Sequence, residues 1–124
     1  MDTIKGIVVL HEDVTAKILQ AYFTVYNVLG YGFLEKVYEN ALVSELLSAG
    51  LIVEQQKSVR VYYKNASVGD YFADLVVDKR VIVELKSSEK LREEHEAQLL
   101  NYLRSTSIEV GLLLNFGKKP EVRR

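Results

Sequence analysis

From Asp13 onward, apolar residues recur at helical spacing: Val14, Ile18, Tyr22, Val25 and Leu29, with the run stopping at Gly30 and Gly32. That pattern predicts a first helix with one buried stripe. A second helix is expected from Phe33 to about Ala49, with Leu34, Val37, Ala41 and Leu42 facing inward. Gly50 follows as the residue that ends a helix in a left-handed conformation. The pattern then turns strand-like. Leu51–Gln56, Val59–Tyr63, Tyr71–Val77 and Arg80–Lys86 read as strands, and the turn residues Lys64–Ser67 separate two of them. Their succession predicts an antiparallel meander. A third helix is expected over Glu89–Arg104, followed by a last apolar strand, Ile108–Asn115.

Helices, then strands, then a helix and a strand imply an α+β fold, a mixed α/β sandwich built on one central sheet. The connection from Lys86 to Ile108 is long enough for a right-handed crossover, which would set the last strand parallel to the strand of Glu84. A chain of 124 residues that is 48% hydrophobic can fill one core but not two, so residues 1–124 are read as a single domain. There is no cysteine, which excludes disulfides and thiolate metal ligands. The apolar run Ile7–Leu10 is too short for a signal sequence or a membrane span. Cytoplasmic residence with no membrane association is the expectation. The net charge of −1 and pI near 6.1 give no overall nucleic-acid footprint. A local basic rim is still available from Lys86, Lys90, Arg92, Lys118, Lys119, Arg123 and Arg124.

Charges placed inside two apolar strands are the chemical signal. The segment Tyr71–Lys86 is rich in Val, Ile and Leu, yet it carries Asp74, Glu84 and Lys86. A buried strand does not hold a carboxylate or an ammonium unless the group is paired or holds a ligand. Side chains alternate along a strand, so Glu84 and Lys86 share one face. The short turn at Asp78–Arg80 brings Asp74 alongside them. Two acids and a lysine at one end of a sheet can hold a divalent cation and polarise water on it. On periodicity alone the alternative is a cross-strand ion pair of Asp74 or Glu84 with Lys86 or Arg80.

Asp74 with Glu84-Leu85-Lys86 resembles the D…(D/E)-x-K signature of the PD-(D/E)XK nuclease superfamily. Gln98-Leu-Leu-Asn-Tyr102 matches the Q-x-x-x-Y motif of its RecB-like and lambda-exonuclease-like members. Gly32-Phe-Leu-Glu35-Lys-Val-Tyr38 matches the motif that names the GxxExxY protein family, a small-domain branch of that superfamily. The resemblance runs in order from about Val14 to Gly117.

It implies a restriction-endonuclease-like core, with a central mixed sheet flanked by helices. It also implies a nuclease that uses Mg2+ or Mn2+ to hydrolyse phosphodiester bonds of DNA or RNA. Asp74 and Glu84 would be metal ligands, and Lys86 would orient water and stabilise the pentacovalent phosphate. Gln98 and Tyr102, one above the other on a helix, would line the site. Glu35 would be a further acid and metal ligand from the preceding helix, with Glu39 as second candidate and Tyr38 as a helper or packing residue. His95 reads as a boundary histidine without catalytic duty. Cysteine nucleophiles, serine elbows and phosphate-binding glycine loops are lacking. The alternatives are a catalytically silent nucleic-acid- or protein-binding module of the same fold, or an interaction domain dimerising through its aromatic helices. DNA against RNA, endo- against exonucleolytic attack and oligomeric state are not encoded legibly.

Overall fold

The computed structural model describes residues 10–124, together with the backbone of two short strands, β1 (Thr3–Ile4) and β2 (Ile7–Val8), which pair antiparallel. Val9, inside the apolar run Ile7–Leu10, lies outside the described residues. Then follow α1 (Glu12–Leu29), α2 (Glu35–Ser48), β3 (Val53–Tyr63), β4 (Ala66–Val77), β5 (Val81–Lys86), α3 (Glu93–Arg104), β6 (Val110–Phe116) and β7 (Pro120–Arg123). The main sheet has the spatial order β3-β4-β5-β6-β7. Only β5 and β6 are parallel, joined through α3, with Glu84 beside Leu113 and Lys86 beside Asn115. The meander and the parallel last crossing both follow the sequence pattern.

The sheet is covered on both faces, which is why β5 and β6 are almost uninterruptedly apolar. On one face α1 and α2 contribute Ile18, Tyr22, Tyr38, Leu42 and Leu46 to a core with Leu75, Val83, Leu112 and Leu114. On the other face α3 packs Leu99 over Ala73, Val76, Ile82 and Leu113. Truncating a fully buried residue such as Leu42 to alanine should cost about 2–5 kcal/mol. Among the described residues no helix is long and apolar enough to cross a membrane.

Four details depart from the sequence expectation. The buried stripe of α2 is Tyr38, Glu39, Leu42 and Leu46, while Leu34 and Val37 are exposed. Leu42 is inward as expected and Ala41 packs against the core, but the apolar residues are scattered around the helix, so periodicity misplaced Leu34 and Val37. Strand β3 is continuous through Lys57 and Ser58, whose polar side chains read as a break. Helix α3 starts at Glu93 rather than Glu89, because residues 87–92 are tied to β6 and β7. Ser88 N donates to Asn115 Oδ1 (3.0 Å) and Leu91 N to Glu121 Oε1 (3.0 Å). Strand β7 is an edge strand that opens on Pro120, a position where the missing N–H costs nothing.

Candidate active site

The ladder between β4 and β5 covers Leu75–Val83, Val76–Ile82 and Val77–Val81, and goes no further. Past it, side chains replace the backbone pairing. Leu85 N donates to Asp74 Oδ2 (2.8 Å), and Asp74 N donates to Glu84 Oε2 (3.3 Å). The alternation of β4 reverses here: Leu75 and Val77 pack toward α1 and α2, whereas Tyr71 and Ala73 pack toward α3. The sheet therefore splits at the two acids and brings their carboxyl groups together.

Glu84 is only 7% exposed, and its Oε1 is buried without a hydrogen-bond partner among the described residues. Burial, reinforced by the charge of Asp74, pushes its carboxyl pKa up to about 9. Lys86 follows on the same face and favours the charged carboxylate, but forms no ion pair with either acid. Arg80 pairs instead with Asp13 (2.9 Å) and Asp78 (3.8 Å). The cross-strand ion pair that periodicity left open does not form.

The helix acids divide. Glu35, at the exposed start of α2, accepts a hydrogen bond from Ser87 N (3.3 Å), just past Lys86. Glu39 is 4% exposed and holds Lys36 Nζ (2.9 Å), Gln55 Nε2 and Gln56 Nε2 (2.8 Å). The Gln56 amide also donates to Asp74 Oδ1 (3.3 Å), so it links Glu39 to the acid pair. Gln56 does this from a strand interior with φ of 51°, a conformation that costs a side chain about 1 kcal/mol or more. Among the described residues no three acids or histidines converge as a ready-made metal cage. Mg2+ needs none, since one or two carboxylates suffice when water and phosphate complete its shell.

On the opposite wall, Tyr102 lies half-buried near both acids. Burial first, then the charges of Glu84 and Asp74, raise its hydroxyl pKa. Tyr71 stacks on it with ring centroids 3.5 Å apart and planes 13° from parallel. The Tyr71 hydroxyl is buried with no partner among the described residues, and burial and the neighbouring Glu84 raise its pKa. Gln98, one helical turn before Tyr102, is exposed. His95 accepts from Arg92 N (3.1 Å) as part of a capping box, a structural duty.

The structure thus brings Asp74, Glu84, Lys86 and Tyr102 to one end of the sheet. Glu35 stands at the rim, and Gln98 is open to solvent. Sequence reasoning missed Gln56 and Tyr71. Nothing in a polar strand residue announces a left-handed φ, while Tyr71 carried a usable signal as an aromatic three positions before Asp74. Of the basic rim, Arg123 is engaged by Glu96 (3.0 Å) and Glu121 (3.7 Å), and Arg124 by Thr15 Oγ1 (3.1 Å) and Leu10 O (2.5 Å).

Comparison with known proteins gives one positive result. The model of the PD-(D/E)XK nuclease superfamily matches residues 12–124. No curated protein and no solved structure matches the chain.

Proposed function

The chain belongs to the PD-(D/E)XK nuclease superfamily, and from that premise we propose that it is a divalent-metal-dependent phosphodiesterase acting on DNA or RNA. The observation that carries this reading is the forced proximity of Asp74 and Glu84, with Glu84 Oε1 buried and unpartnered. Two carboxyl groups that cannot both stay ionised in a partly dry site without a counter-charge suit a hard cation, and their donor set is all oxygen. Asp74 and Glu84 are the residues to hold Mg2+ or Mn2+. Glu35 remains a candidate third ligand at the rim, and Glu39 acts on Asp74 through Gln56. When bound, the cation supplies Lewis acidity and a more acidic water.

The protein's own groups do the rest. Lys86, fixed on the same face as Glu84, places a positive charge where the phosphate gains negative charge as water attacks. A new bond forms from the water oxygen to phosphorus as that water gives up a proton to solvent, the ester P–O bond breaks, and the departing oxygen takes up a proton from solvent. The Tyr71–Tyr102 stack walls one side of the site and excludes water behind it. Gln98 and Tyr102 are placed to meet the substrate from α3. GxxExxY-branch membership belongs to the same reading. It has a physical sense: Tyr38 Oη donates to Gly30 O (2.7 Å) and accepts from Phe33 N (3.1 Å), pinning the loop that leads to Glu35.

The test is hydrolysis of single- and double-stranded DNA and RNA with Mg2+ or Mn2+, beside Lys86→Ala. Metal-dependent cleavage lost in the variant supports the reading. Metal binding without cleavage of any of the four would mark a catalytically silent module instead.

A further inference from the structure

The parallel strands β5 and β6 end side by side, and beyond them lies a cleft of about 370 Å3. That volume falls within the range of sites that take a small molecule or a single polymer unit. One wall is Ser87–Ser88–Glu89, and the other is Gly117–Lys118, with Tyr31 and Gly32 also lining the cleft. Both walls are firmly held. Asn115 Nδ2 donates to Ser88 O (2.9 Å), and Tyr26 Oη donates to Gly117 O (2.7 Å) and Lys118 O (2.8 Å). The Tyr31 loop is held too, because Tyr38 ties its two ends and Gly30 and Gly32 take φ of 68° and 107°.

The surroundings are unusual for a surface that faces only water. Tyr31 is 57% exposed and Leu34 80%, with Phe33 and Val37 also exposed, a run of large apolar groups in one loop and helix start. Around the same end of the sheet stand Lys86, Lys90, Lys118 and Lys119, none of them in an ion pair among the described residues. The acids here are Glu89, which lines the cleft, Glu35, which is occupied by Ser87 N, and Glu121, which is occupied by Leu91 N, Asn115 Nδ2 and Arg123. Cations alternating with exposed rings match the chemistry of an unpaired nucleotide, in which phosphate meets lysine and the base stacks on an aromatic face. A duplex keeps its bases stacked inside and, away from its two ends, offers Tyr31 nothing to stack on. Ser87 lies three residues past Glu84, about 10 Å at 3.3 Å per residue. That separation is about one or two nucleotides of extended strand from the acid pair.

We propose that this cleft is a substrate subsite that takes a nucleotide of a single-stranded segment, with the base on Tyr31 and the phosphate at Lys118. The assignment rests on the nuclease reading for its place in a reaction, but it is tested without hydrolysis. In EDTA, fluorescence anisotropy would compare labelled strands of about twelve nucleotides, DNA and RNA, with blunt duplexes of the same sequence. The expected result is single strands bound at least tenfold more tightly than duplex. Tyr31→Ala should weaken strand binding about tenfold, and Tyr31→Phe should restore it. Lys118→Glu should weaken binding and lower the salt slope by about one.

Equal affinity for strand and duplex, or Tyr31→Ala binding like the wild type, would overturn the subsite. So would a wild-type dimer in sedimentation that falls apart in Tyr31→Ala, since a second copy would then own the surface. The two readings fail separately. Strand binding by this signature with no cleavage in Mg2+ leaves the subsite standing and removes the nuclease. Cleavage of duplex alone, unaffected by Tyr31→Ala, does the reverse.

Discussion

Glu84 sets the cost of the site at the level of a single residue. With its folded pKa near 9 and an ordinary value of 4.5, the native state of the metal-free protein favours the protonated carboxyl. The stability associated with Glu84 is therefore fully present below about pH 4.5 and is lost as pH rises toward 9. The slope approaches on the order of 1 kcal/mol per pH unit within that window. Chemical denaturation of metal-free wild type against Glu84→Gln across that range checks this, with the slope expected to shrink in the variant. Tyr71→Phe removes a buried hydroxyl without a partner and keeps the ring stacked on Tyr102. The metal-free variant should be as stable as the wild type or more so, by up to about 1 kcal/mol. A loss of several kcal/mol in a thermal melt would mean that the hydroxyl is bonded in solution.

At the level of elements, two glycines set how closely neighbours approach. A Cβ on Gly117 would meet Ser88 O at 2.6 Å, so Gly117→Ala must push apart the turns that follow β5 and β6. A cost of about 1–3 kcal/mol is expected from equilibrium unfolding. A Cβ on Gly111 would lie 2.9 Å from Leu99 Cδ1, beneath α3, so Gly111→Ala should be partly rescued by Leu99→Val. Much of this level was legible in the sequence, because α1, the meander and the crossover to β6 each carry a clean period or turn signal. The acid pair was legible for the same reason: charges inside Val- and Ile-rich strands stand out, and ten residues with a short turn force them together. What stayed hidden depends on geometry that no period encodes. The reversal of β4 at Asp74, the left-handed Gln56 and the buried Glu39 arise from contacts between segments far apart in sequence. Helix α2 was misread at Leu34 and Val37 because its apolar residues follow no single stripe and its core face includes the carboxylate of Glu39.

For the molecule as a whole, a native-state ligand adds stability by mass action, about 2.7 kcal/mol at a hundred times its dissociation constant. Mg2+ or Mn2+ should therefore raise the melting temperature of the wild type. The rise should vanish in Glu84→Ala and persist in Lys86→Ala, and calorimetric titration of all three would check it. An undiminished rise in Glu84→Ala would place the cation elsewhere.

The short hairpin between β4 and β5 also has a kinetic meaning. Its three paired positions are close in sequence, so Asp74 and Glu84 meet early, at low loop-closure cost. Their burial must wait for β6 and α3, which arrive from much farther along the chain. Charge repulsion and drying are therefore concentrated in the last docking event of folding. Refolding of the metal-free chain should accelerate in mildly acidic buffer, where Glu84 docks as a neutral group, and Glu84→Gln should refold at that faster rate in both acidic and alkaline buffer. For this fold, the acids that equip the site also act as the brake on its assembly.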